Sequence, residues 1–411
     1  MRPALVVTTL GIAQTLAWAS TYYLPAMLAM PMAAELGLGT AVVYACVSAA
    51  LIISALVGPA AGRLIDRHGG RSVLMVTSLL FAAGLTVLGL SQGLWSLMLA
   101  WAIIGLAMGS GLYEAAFSSL VRLYGEGARG AITGITLFAG FASTVGWPLS
   151  AWMEAHFGWR GACLGWAGLH VFLGLPLNAW FPRDPATSRA SATASTPAAV
   201  AAAPQAPVAS KRAAESGKSA RFTSTHALLA FVFASTWFIS TAMATHLPRL
   251  LGTMGIGLAA AVAIGALIGP AQVAGRALEF VWLQRLHPLL SARMAALCHP
   301  LGAGLLLLMG PVAAPVFALL HGAGNGILTI TNGTLPLAMF GSGGYGARQG
   351  WLMLPSRIAQ ASAPVLFGLA VDAWGSGALW LSGAMGLAVL GALLCLRARP
   401  AAAAAALGTT R

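Results

Sequence analysis

Three ionisable residues stand inside stretches of this chain that carry almost no other charge: Glu114, Arg276 and Arg357. Arg276 precedes the nearest loop cation, Arg285, by nine residues, which is about 13 Å of helix and too far for snorkelling to water. Arg357 lies about ten residues into its own apolar run, near the middle of a bilayer. An arginine at that depth costs at least about 2.5 to 3.5 kcal/mol and demands a partner. Two deep guanidinium groups suit an anion site with a carboxylate as ligand; Arg276 with Glu279, three residues on, also reads as a degenerate copy of a charged loop that merely latches helices. Glu114 stands eight residues before the loop residue Arg122. Desolvation favours its neutral form and a neighbouring arginine its charged form. It is therefore a candidate coupling acid, a candidate structural counter-ion, or a residue of the cytoplasmic mouth.

The elements that must hold these groups are apolar runs. They fall at about 4–30, 41–61, 72–91, 95–121, 130–153 and 161–181, and again at about 224–250, 257–283, 289–309, 311–340, 347–371 and 376–396. About 20 apolar residues cross a bilayer as a helix, and the fourth and tenth runs exceed one straight crossing. Hydrophobic residues make up 58% of the 411 positions and charged residues 8%, too apolar a balance for a soluble fold. The expected fold is an all-α polytopic membrane protein, with twelve transmembrane helices in two six-helix bundles related by a pseudo-two-fold axis. The expected domains are a bundle over 1–182, a disordered cytoplasmic linker rich in Ala, Ser, Thr and Pro over 183–222, a second bundle over 223–397, and a disordered tail over 398–411. Gly58-Pro59-Ala60 with Gly62-Arg63 is weakly echoed by Gly269-Pro270-Ala271 with Gly275-Arg276, which suits internal duplication.

The net charge of +13 is not gathered on one solvated domain, which argues against nucleic acid as a partner. Membrane orientation explains it. With both termini cytoplasmic, eighteen Lys and Arg fall on the inner side and only Arg160 and Arg249 on the outer. Cys46, Cys163, Cys298 and Cys395 lie within apolar runs without CxxC spacing and read as small core residues. The histidines are not spaced as a metal site, so no metal or cofactor is expected. No phosphate loop or nucleophile motif is present in the sequence, which leaves an ion or solute gradient as the energy source and makes an enzyme improbable.

One charged stretch has a recognisable spacing. Gly62-x-x-x-Asp66-Arg67-x-Gly69-x-Arg71 separates the second and third runs, and reads as a tight loop at the membrane surface. Asp66 there suits the N-terminus of a neighbouring helix, while Arg67 and Arg71 suit acids or lipid phosphate. The stretch resembles the loop signature of the major facilitator superfamily. Within it, Tyr124, Arg129, Gly134, Gly140 and Gly146, and Phe157-Gly158-Trp159-Arg160-Gly161-Ala162, resemble the monocarboxylate transporter and oxalate/formate antiporter branch. Glycines at that spacing allow close helix packing.

The resemblance implies alternating access, with Gly62, Asp66, Arg67, Gly69 and Arg71 as a gating cluster that stabilises one state. Gly70 stands where the motif is often basic. Gly275-Arg276 resembles the pair that holds a substrate carboxylate in oxalate/formate exchangers, and Arg357 falls within about a residue of that group's eleventh-helix cation. Monocarboxylate transporters place an aspartate where this chain has Gln272, and a first-helix lysine that is absent here. Coupling through those positions is not expected; anion exchange or another acid, Glu114, takes their place. Tyr22, Tyr23, His246, His321 and Asn325 are further candidates for the cavity wall, since polar groups at membrane depth face the interior. The commoner role for each alone is an interhelical hydrogen bond or an interfacial aromatic. The expectation is a monomeric secondary transporter for a small organic anion, a monocarboxylate first, working with protons or a counter-anion. Ala, Gly and Arg with only two Lys suit a bacterial inner membrane. The alternative is an efflux antiporter for amphipathic compounds, its cavity lined by some of the 13 Trp and 15 Met.

Overall fold

The computed structural model describes residues 3–182 and 224–397; the expected linker and tail lie outside the described residues. All described elements are helical. Contacts divide the chain into two compact units, Met1–Ala230 with Ser342–Ser362, and Phe231–Gly341 with Ala363–Arg411.

In the first unit, α1 (Pro3–Ala19) and α2 (Leu24–Leu36) share the first apolar run. The run breaks at 20–23, and Pro25, whose missing N–H costs nothing in a first turn, starts the helix again. Next come α3 (Thr40–His68) and α4 (Gly70–Gly89). The charged stretch expected as a loop is thus helical through His68, and Gly69 alone, at φ 83°, makes the turn. Hydropathy marks where hydrocarbon ends rather than where the helix ends. Polar residues continue α3 into water until a residue that tolerates positive φ reverses the chain. The long fourth run likewise divides, at Leu112, into α5 (Leu94–Gly111) and α6 (Tyr113–Tyr124).

The fifth and sixth runs are α7 (Arg129–Ala139), α8 (Ala142–Leu169), a π-helical turn over His170–Gly174, and α9 (Leu175–Ala179). Gly158, at φ 67° and ψ 172°, reverses the chain within α8. Packing relies on small residues, as expected where lipid and side chains are equally apolar. A Cβ on Gly105 or Gly109 would come within 2.6 Å of the Ala50 or Ser54 carbonyl oxygen, so α5 and α3 touch backbone to backbone. Gly134 and Gly146 give α1 the same access, at Val7 and Ala19.

The second unit is built from α10 (Ser224–Gly252), α11 (Leu258–Ala266), α12 (Ile268–Val281), α13 (Pro288–Met309), α14 (Ala314–Phe340), α15 (Tyr345–Trp374) and α16 (Ala378–Cys395). Residues of α10 up to Ala230 and of α15 up to Ser362 count with the first unit. Gly322 and Gly326 bring α14 against Ile268 and Gln272 of α12, and Gly275 meets Ala323. The exterior is apolar: Phe172 and Leu308 are 82% and 84% exposed, which suits lipid and no aqueous surface. Cys395 is exposed and Cys298 partly so, hence only Cys46 and Cys163 are buried core residues.

Candidate functional site

The first unit gathers a charged cluster from three apolar runs. Glu114 sits in the first turn of α6, where the break at Leu112 exposes the positive end of a half-helix to its carboxylate. Arg357, on the part of α15 that belongs to this unit, donates from Nη2 to both carboxylate oxygens, at 2.8 and 3.1 Å. The pair is buried, with side-chain exposures of 3% for Arg357 and 12% for Glu114. Arg357 Nη1 donates to Gln360 Oε1 at 3.0 Å, and Gln360 Nε2 donates to the Tyr22 hydroxyl at 3.1 Å. Tyr22 lies in the 20–23 break, with Tyr23 edge-on to it at 5.3 Å. The Trp18 ring, 6.0 Å from the guanidinium carbon, adds a weak cation–π contact.

Three sequence candidates, Tyr22, Glu114 and Arg357, therefore meet in one hydrogen-bonded chain, with Tyr23 beside it. Gln360 and Trp18 join them without having been singled out. Gln360 had a signal, an amide three residues from a deep arginine and so on the same face. Trp18 had none among many tryptophans. Chemically, a guanidinium with one acid, one amide and one phenol can hold a carboxylate, provided that Glu114 gives up its place.

The α3–α15 contact is also internal to this unit. Asp66 accepts from the Gly346 and Ala347 N–H groups, at 2.9 and 2.8 Å, in the first turn of α15, where a carboxylate satisfies orphan donors and the dipole together. A side chain on Gly62 would collide with the Gly346 carbonyl. Arg122 donates to the Asp66 carbonyl oxygen, and Glu126 accepts from the Ser342 N–H at 2.9 Å. Arg67 is exposed, Arg71 half-buried, and Gly69 is the turn itself. The two arginines expected on the outer side each meet an acid at a helix end: Arg160 binds Glu35 at 2.8 Å, and Arg249 binds Asp372.

The remaining candidates belong to the second unit. Arg276 and Glu279 are both buried on α12, at 7% and 0% exposure, with Gln272 half-buried one turn before the arginine. His246 Nε2 bonds the Pro364 carbonyl at 2.7 Å, Asn325 Nδ2 donates to Ser240 Oγ at 3.0 Å, and His321 Nδ1 faces His299 Nδ1 at 3.0 Å. Among the described residues no three His, Cys, Asp or Glu side chains are grouped to hold a metal ion.

A polytopic helical fold with an ion pair buried between spans is that of a multi-pass membrane protein. The sequence matches the Major Facilitator Superfamily over residues 10–340, and the chain belongs to that family: it is a multi-pass transporter, not an enzyme, with the twelve-helix fold read from its runs. None of the curated proteins matches it. Solved structures with the same fold include the human organic anion transporter MFSD10 (TETRAN), at 15% identity and TM-score 0.69, covering 96% of this chain and 100% of that one. The proton:xylose symporter XylE, bound to 6-bromo-6-deoxy-D-glucose, is 13% identical with TM-score 0.73 and 94% coverage of both chains. The transporter FucP, in an outward conformation, is 13% identical with TM-score 0.70, covering 96% of this chain and 98% of that one.

Proposed function

We propose that this protein is a proton-coupled secondary transporter of small organic anions, a monocarboxylate being the simplest fit. The fold leaves the substrate open, since similar structures include an organic anion transporter and a xylose symporter. The observation that carries the reading is the buried Arg357–Glu114 pair. In a low-dielectric site the arginine tolerates one negative partner far better than none or two. A substrate carboxylate entering the site competes with Glu114 for Nη2, and a proton on Glu114 settles that competition while keeping the site neutral. Substrate and proton then move together, and Glu114 recloses on Arg357 when both have left.

In this reading Gln360 and Tyr22 orient the guanidinium, and the Tyr22 hydroxyl keeps a proton to offer the substrate. Arg276, with Gln272 beside it, is assigned a second anion contact. His246, His321 and Asn325 line the second unit's share of the path. The cluster around Gly62, Asp66, Arg67, Gly69 and Arg71 stabilises one state of the alternating-access cycle. The location assigned is a bacterial inner membrane, with cytoplasmic termini and a monomeric protein.

The test is thermal unfolding of the purified protein across a panel of small carboxylates, with proton-driven uptake in liposomes. Ligands that bind the folded state raise its apparent stability. A carboxylate-specific shift lost in Arg357→Ala and in Arg276→Ala supports the reading. Shifts from neutral or cationic amphipathic compounds alone, unchanged by either substitution, would replace it with efflux.

A further inference from the structure

The charged cluster is only as well placed as Tyr22, and Tyr22 stands in a break rather than in a helix. Within residues 20–23 the Ser20 N–H donates to the Leu16 carbonyl at 3.0 Å and the Tyr23 N–H to the Trp18 carbonyl at 3.2 Å. Thr21 Oγ1 donates to the Ala17 carbonyl at 2.6 Å. These three bonds return to α1, so they tie the break to its own helix and do not fix it against Gln360. Ser20 Oγ reaches outside: it lies 2.8 Å from His170 Nε2, 150 residues further along the chain.

His170 is held in turn by α4. Its ring stacks on Phe81, with centroids 4.8 Å apart and planes at 30°. It also opens the π-helical turn, which the Leu175 N–H closes onto the His170 carbonyl; turns of this kind recur at functional sites. Eight residues of regular α-helix would set His170 and Asn178 roughly 80° apart around the axis, and one extra residue in the turn brings them to nearly one face. Asn178 accordingly binds α4 as well, with Nδ2 donating to Ser78 Oγ at 2.9 Å and to the Leu74 carbonyl at 3.3 Å. Gly174 leaves the imidazole its place, since a Cβ there would come within 3.3 Å of His170 Nδ1. His170 and Ser20 are 2% and 0% exposed, so water does not compete for their bond. A hydroxyl both donates and accepts, so the bond forms with either imidazole tautomer.

We propose that His170 is a positioning residue for the anion site: through Ser20 it anchors the 20–23 break to α4 and so keeps the Tyr22 hydroxyl on Gln360. The link matters because the Gln360 amide has two unlike ends. Its Nε2 donates to Tyr22 and its Oε1 accepts from Arg357. With Tyr22 out of reach the amide loses the acceptor that tells its ends apart, and a rotated amide turns its NH₂ toward the guanidinium, donor against donor. Binding constellations tolerate only about 0.5 Å of misplacement. The consequence for transport rests on the anion reading of Arg357, whereas the placement of Tyr22 does not.

Purified protein labelled with fluorotyrosine, with no carboxylate present, would be studied by fluorine NMR, the Tyr22 signal being assigned by its loss in Tyr22→Phe. The Trp18 and Tyr23 rings, with centroids 5.4 and 5.3 Å from that of Tyr22, make this signal sensitive to small displacements. Ser20→Ala and His170→Phe should each move it, while His170→Gln, whose amide reaches the place of Nε2, should leave it where it is. A merely structural His170 would lower the unfolding midpoint without moving the signal. An unmoved signal in Ser20→Ala therefore overturns the proposal, even if His170→Phe fails to fold. Uptake of labelled lactate into liposomes, the monocarboxylate probe, should show KM raised several-fold in Ser20→Ala with the maximal rate little changed. Adding Ser20→Ala to Tyr22→Phe should raise KM no further, and additive increases would also overturn the proposal. Absence of lactate uptake by the wild type would count against the anion reading alone, with the fluorine signal still deciding the role of His170.

Discussion

The same chemistry, arginine against carboxylate, occurs in two very different settings in this protein. Arg160–Glu35 and Arg249–Asp372 sit at helix ends with half their surface or a third of it in water. Arg357–Glu114 is buried and joins residues 243 positions apart. At the helix ends water screens the attraction and hydrates either partner when the pair opens, so the pair is a small stabilising contact. In the interior Arg357 is shut off from water and Glu114 nearly so, and loss of one strands the other. A buried pair is thus poor at adding stability and good at making the protonation of one residue matter to the other.

The largest effect is expected for Arg357→Ala, which leaves Glu114 without its cation. It should cost about 3–5 kcal/mol if Glu114 stays charged, read as a lower unfolding midpoint, and bring carboxylate uptake to background. The Arg357→Met, Glu114→Leu double variant should recover most of that stability and none of the uptake; a double variant less stable than Arg357→Ala would deny that the pair is the cause. Glu114→Gln comes next. It keeps a hydrogen-bond acceptor for Arg357 but cannot carry a proton, so exchange of labelled for unlabelled substrate should persist while proton-driven accumulation is lost. Accumulation at the wild-type level would remove Glu114 from coupling.

Asp66→Asn probes an intermediate case, a carboxylate bonded to two backbone N–H groups near the membrane face. Hydrogen bonds to a charged acceptor contribute about 1.5–3 kcal/mol, against about 1 for neutral ones, so a moderate drop in the unfolding midpoint is expected. Arg249→Ala should change least, with any shift vanishing in high salt. A shift as large as that of Asp66→Asn would mean that helix-end pairs in this protein are not ordinary surface pairs.

The twelve apolar runs and the charged spacing near Asp66 were enough to reach the family and the fold, because both are properties of local sequence. The breaks were less legible. Residues 20–23, Leu112 and the π-helical turn before Leu175 lie inside single apolar runs, and hydropathy carries no information on φ and ψ. Glu114, Arg357 and Tyr22 each stood out by polarity at depth. That they meet depends on which spans pack together, a fact no single run contains. Gln360 was within reach of the helical i,i+3 rule.

The one-residue turns at Gly69 and Gly158 bear on how the protein enters a membrane. A single residue advances the chain by about 3.8 Å, which holds the helices on either side to a closed hairpin. Each pair is therefore expected to enter the bilayer as one hairpin. A flexible insert at Gly69 is expected to uncouple the two crossings of α3 and α4, which gives this glycine a consequence beyond the turn it makes.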